Sequence, residues 1–157
     1  MSSITIDVGP FLRFAENMGA AEGKVRAALV VGGNAVAQQG AQIAQSILSS
    51  NGSVVTGDLR SDISAWPTSY SGDNIVIQYG PKKKQPANWV EHGRGPVSAR
   101  AGGVLKFSIK GRGPVIYAKS VGPARPRPFM QPSVKRLMPI ATKTLGDAAM
   151  RAVEGMV

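Results

Sequence analysis

A chain of 157 residues with no cysteine and a formal net charge of +10 fits one ordinary domain, residues 1–157, with a core of its own. The missing cysteines exclude disulfides, thiolate nucleophiles and most structural zinc sites. No apolar run approaches the roughly 18 residues of a bilayer-spanning helix. The N-terminus, Met1 to Asp7, lacks the basic and apolar regions of a secretory signal. The expectation is a protein made in the cytoplasm that has no membrane partner.

Residues 4 to 8 alternate apolar and polar, with Ile4, Ile6 and Val8 in phase, which predicts a short strand broken by Gly9-Pro10. Phe11, Leu12, Phe14 and Met18 suit a helical turn after it. From Ala20 to about Ser50 the positions Val25, Leu29, Gly32, Val36, Gly40, Ile43 and Ile47 recur every three or four residues, predicting a long amphipathic helix. Gly32, Gly33 and Gly40 cost that helix about 1 kcal/mol each relative to alanine. They are tolerable where the face lies tight against a sheet. Asn51-Gly52-Ser53 accepts the left-handed geometry that closes a helix.

Leu59 to Trp66 alternates as a strand, and Ile75, Ile77 and Tyr79 alternate after the turn Tyr70 to Asn74, predicting a hairpin. Pro81-Lys82-Lys83-Lys84-Gln85-Pro86 reads as a charged, proline-bounded loop. Val104 to Ile109 and Val115 to Val121 read as a second hairpin across the glycine-rich Lys110 to Pro114. Together these runs predict an antiparallel sheet of four to five strands. Pro126, Pro128 and Pro132 exclude regular structure until a helix begins near Pro132. Val134, Leu137, Ala141, Leu145, Ala148 and Val153 then give a C-terminal amphipathic helix, which Pro139 should kink or reset. The fold class is therefore α+β, a sheet packed by a long N-terminal and a C-terminal helix, with an extended basic hairpin.

The charge is local. From Pro81 to Arg136 thirteen basic residues face one acid, Glu91, a net +12, whereas six basic residues and eight acids elsewhere net −2. The candidate contacts for an acidic partner are Lys82, Lys83, Lys84, Arg94, Arg100, Lys106, Lys110, Arg112, Lys119, Arg125 and Arg127. That partner could be a phosphate backbone or an acidic protein surface. Trp89, Phe107 and Tyr117 are as well explained by strand packing as by base stacking, and no helix-turn-helix or zinc-finger pattern specifies base readout. Nucleic acid, if touched, is touched without sequence preference.

The inventory for catalysis is thin. His92 is the single histidine, so a zinc site built from histidines of one chain is excluded. No nucleophile-elbow, zincin or phosphate-loop pattern occurs, and His92 reads as a turn residue beside Gly93. The reading assigns no catalytic residue, metal or cofactor.

Several short motifs stand in a telling order: Thr56-Gly57-Asp58-Leu59 through Ile63, Trp89-Val90-Glu91-His92-Gly93-Arg94, and Arg127-Pro128-Phe129-Met130-Gln131-Pro132 before the last helix. In that order, over roughly residues 20 to 145, the chain resembles the tail-completion or head-to-tail joining family of long-tailed bacteriophages. Two features depart from the family pattern: Ser133 stands where alanine is usual, and the lysine loop and hairpin carry more charge. The resemblance implies a structural virion protein without turnover, a ring, generally hexameric, between head connector and tail tube. Its partners would be further copies of itself, the adjoining neck ring and tube proteins, and the genomic DNA in the channel. It also implies structural roles for Thr56, Gly57, Leu59, Trp89, Glu91, Gly93, Arg127, Pro128, Phe129 and Pro132, with Phe129 as a core anchor. The hairpin between Arg100 and Lys119 is either an arm to a neighbour or an ordinary hairpin of the monomer. Competing readings are a head-closure stopper or connector-adaptor ring, a sequence-neutral nucleic-acid-binding module, and an enzyme dependent on His92.

Overall fold

The computed structural model describes residues 2–17, 22–52, 57–109 and 112–154, with side chains throughout except at 2, 15, 17, 84, 85, 108, 109, 112 and 113. Of the positions singled out above, Met1, Met18, Ala20, Ser53, Thr56 and Lys110 lie outside the described residues, as do the side chains of Lys84 and Arg112.

The elements run β1 (Ser2–Asp7), α1 (Gly9–Asn17), α2 (Glu22–Ser50), α3 (Asp58–Asp62), β2 (Ile63–Ala65), β3 (Ser69–Ser71), β4 (Asn74–Pro81), α4 (Lys84–His92), β5 (Val97–Ser98), β6 (Leu105–Ile109), β7 (Arg112–Ala118), β8 (Ser120–Val121) and α5 (Met130–Glu154). β4 is the organising strand. β1 runs antiparallel along one side, with Ile4 opposite Ile77 and Ile6 opposite Ile75. β2 and β3 share the other side, Ala65 opposite Tyr79 and Ser69 opposite Val76. The four strands are antiparallel, as expected, but the N-terminal strand belongs to the sheet and the basic hairpin does not.

Alternation puts Ile75, Ile77 and Tyr79 on one face, all without solvent exposure. α2 lies over that face across β4 and β2, and α5 lies beside it, reaching β1. The helices run antiparallel, because Gly40 meets Leu137 whereas Gly32 meets Leu145 and Ala148. The glycines expected to face a sheet divide the work. Gly33 sits against Ile75 and Thr68, Gly40 against Tyr79 and Leu137, and Gly32 against α5 alone. Gly52, at φ 70°, closes α2 in the left-handed region, the amide of Asn51 donating to the Ile47 carbonyl.

Two predicted elements are corrected. Leu59 to Trp66 is not one strand: Gly57, at φ 83°, opens the five-residue helix α3 and only Ile63–Ala65 pairs with β4. Leu59 and Ile63 lie four apart, a spacing that suits a helical turn as well as alternate strand positions. The lysine loop ends early, because α4 begins at Lys84; its last turn carries Trp89, expected to pack in a strand, and His92, expected in a turn. Pro86 does not prevent this, since a first-turn proline loses no intrahelical hydrogen bond. α5 runs through Pro139 as a single element, its first turn holding Pro132.

Candidate interaction surface

Residues 94–99 and 119–124 form the root of a ribbon that β6 and β7 continue. Arg94 and Ala124 exchange backbone hydrogen bonds of 3.0 and 2.8 Å, Val97 pairs with Val121, Ser98 with Ser120, and the Ala99 amide donates to the Lys119 carbonyl at 2.9 Å. Beyond the bulged segment 100–104, Leu105 pairs with Ala118, Lys106 with Tyr117 and Phe107 with Ile116. Residues 112–121 thus run as two successive strands, β7 and β8, with a bend at Lys119 between their separate two-stranded sheets.

The ribbon leaves large apolar side chains in water. Tyr117 is 61% exposed, Val104 56%, Val115 44%, Ile116 41% and Phe107 37%. Phe107 and Ile116 share one face, Lys106 and Tyr117 the other. Neither face is closed off by the domain.

The base of the ribbon is fixed to the core by an unusual clasp. The Glu91 carboxylate accepts the backbone N–H groups of Phe129 (2.8 Å), Met130 (3.0 Å) and Gln131 (3.1 Å), satisfying donors that the first turn of α5 leaves open. The Arg127 amide donates to the Val90 carbonyl at 2.7 Å. A side chain at Gly93, φ 78°, would meet the Ala124 carbonyl at 2.7 Å, so the close approach requires glycine. Phe129 is fully buried below it. The Trp-Val-Glu-His-Gly and Arg-Pro-Phe motifs are therefore two halves of one joint.

Arg94, Arg125 and Arg127 lie at this joint, and the other basic candidates are spread over the lysine turn and the ribbon. Lys82 and Lys83 are exposed, their amides held by the carbonyl and carboxylate of Asp62. Arg100, Lys106, Lys119 and Arg125 are exposed along the ribbon and its return. Arg94 is half-buried, its guanidinium 6.0 Å from the Trp89 ring centre. Arg127 is committed in part: it donates to the Gly52 carbonyl at 2.9 Å, and its own carbonyl accepts from Asn51 Nδ2. Lys84 opens α4 and Arg112 opens β7. Among the described residues the ion pairs are both made by Arg26, with Glu22 and Asp73, at the other end of α2. The acids near the joint are engaged by backbone amides, Asp62 by one and Glu91 by three. Bound to amides, these carboxylates keep their charge and offset only part of the positive field that the thirteen basic residues of 81–136 create.

No known protein family, curated protein or solved structure matches this chain. The surface must be read on its own chemistry. His92 is exposed at the end of α4. Among the described residues no three histidine, aspartate or glutamate side chains come together as a metal site, and no helix is long and apolar enough to cross a membrane.

The resemblance implied a structural role for Glu91, but sequence reasoning missed its three amide partners, the root that ties the hairpin to the core and the exposure of Trp89. A lone acid in a segment of thirteen bases was the available signal for the first. The others depend on which surfaces the joint leaves uncovered, which no local pattern records.

Proposed function

We propose that this chain is a structural, ring-forming component of a virion neck, a tail-completion or head-to-tail joining protein, in which the ribbon is the arm that engages a neighbouring subunit. The observation that carries the reading is the ribbon itself. A two-stranded ribbon with apolar side chains open on both faces is marginal in water alone, and gains stability from a further strand or a covering surface. The domain behind it is a stiff wedge of two long helices on a sheet, and the joint at Glu91 and Gly93 sets the angle at which the arm leaves. A wedge with an arm on one side suits a head-to-tail contact that closes by rotation. The motif order described from the sequence supports the same reading.

The excess of basic residues at this end favours a second reading, a sequence-neutral nucleic-acid-binding module. That module would be a monomer or dimer whose affinity for any duplex falls steeply with salt. The head-closure stopper or adaptor ring uses the same arm and differs only in its place in the neck.

The test exchanges Lys106, Lys110 and Arg112 together for glutamate. Lys106 is exposed, and a melting temperature equal to that of the parent confirms that the variant folds. On the arm reading it fails to join heads to tails in the phage that encodes it, and normal virion yield from that variant would sink the assignment.

A further inference from the structure

Trp89 and Val90 of α4 line a cleft of about 390 Å³ together with Gly52, Pro123, Ala124, Arg125 and Arg127. Trp89 is 46% exposed, so the ring is not consumed by packing. Arg125 lines the same cleft and is exposed. Arg127 also lines it, with one guanidinium nitrogen fixed on the Gly52 carbonyl and further N–H groups to offer. Arg94 lies 6.0 Å above the ring, looser than a stacked contact. The one acid of α4, Glu91, is turned to the three amides of α5, and it is a single negative charge beside Arg94, Arg125 and Arg127.

We infer that this cleft binds one nucleotide unit of a single-stranded nucleic acid, the base stacking on Trp89 and the phosphate pairing with Arg125 and Arg127. A half-exposed aromatic ring beside several guanidiniums matches a ligand that is flat and apolar at one end and anionic at the other. A nucleotide combines both within a few ångströms. A duplex keeps its bases stacked inside and offers only phosphate, and an acidic peptide offers carboxylates without the flat ring. Stacking is indifferent to base identity, in keeping with the lack of any base-reading motif. The inference is independent of the ring reading, because it concerns the joint and not the arm.

The test uses the full chain carrying Trp66→Phe, which leaves Trp89 as the single tryptophan. Titration with a short oligothymidine at low salt is expected to quench its emission saturably. A labelled strand should bind about tenfold or more weakly to Trp89→Leu, by loss of stacking, and to Arg125→Glu, by loss of the phosphate partner. Both side chains are surface groups, and unchanged thermal melts confirm that the variants fold. A duplex of equal length should leave the emission unaltered. Three results would each overturn the inference: no quenching by the strand, undiminished binding by Trp89→Leu, or equal quenching by duplex or polyglutamate. None of them bears on the mass of the protein in solution, so the ring reading stands or falls separately.

Discussion

Tyr79 is the largest of the fully buried side chains, and its hydroxyl lies 3.0 Å from Ser133 Oγ. Ser133 spends its own proton on the Met130 carbonyl at 2.7 Å, so Tyr79 donates and Ser133 accepts. The serine that departs from the resemblance thus has a physical reason. Ser133→Ala strands a buried hydroxyl and should cost about 1–3 kcal/mol in urea unfolding. Adding Tyr79→Phe should recover part of that loss, making the pair non-additive. Burial raises the Tyr79 pKa above its ordinary value. Stability from this group is therefore full below about pH 10 and falls as the pH rises further, because the unfolded phenol ionises first. Tyr79→Phe should shallow that alkaline decline. Glycines provide a matched contrast. At Gly40 a methyl would lie 2.7 Å from Leu137 and 2.8 Å from the Tyr79 ring, whereas at Gly146 nothing lies within 4 Å. Gly40→Ala should destabilise by about 1–3 kcal/mol, and Gly146→Ala should stabilise by up to about 1 kcal/mol, both read from denaturant melts. The sequence marks Gly40 as a close approach by its helical phase, but the tyrosine–serine pair joins positions 54 apart and leaves no local trace.

At the scale of elements, α2, α5 and β4 were legible because each has an apolar period strong enough to fix its type. Asn51-Gly52 marked the end of α2 for the same local reason, a cap with φ 70°. α3 and α4 were not legible. Each is a short helix whose identity is settled by distant partners, the Lys82 and Lys83 amides on Asp62 for one and the α5 amides on Glu91 for the other. The hairpin was legible as a hairpin, while its separation from the main sheet was not, since alternation marks pairing and says nothing of which sheet a strand joins. The joint gives this scale its own prediction. Glu91→Ala removes the acceptor of three amides and should lower stability by about 1–3 kcal/mol, with hydrogen exchange accelerating first at Phe129, Met130 and Gln131. Glu91→Gln, which keeps an acceptor, should lose less.

Across the whole molecule, charge is distributed along the length of α2. The Arg26 cluster with Glu22 and Asp73 marks one end as internally balanced, and the joint and ribbon mark the other as strongly basic. Such a molecule has one end suited to an acidic partner and an arm suited to a protein neighbour. The basic character was visible in composition alone, but its collection at one end was not, because it depends on the antiparallel return of α5 and on the clasp that brings residues 89–94 against 124–131. The central claim is that the arm makes the chain a ring subunit. Its most direct test is the mass of the purified protein by light scattering across concentration and salt, with negative-stain images of the same samples. The account predicts a discrete, hexamer-sized species with a central hole. A monomer at every concentration, gaining mass only when duplex DNA is added, would contradict it.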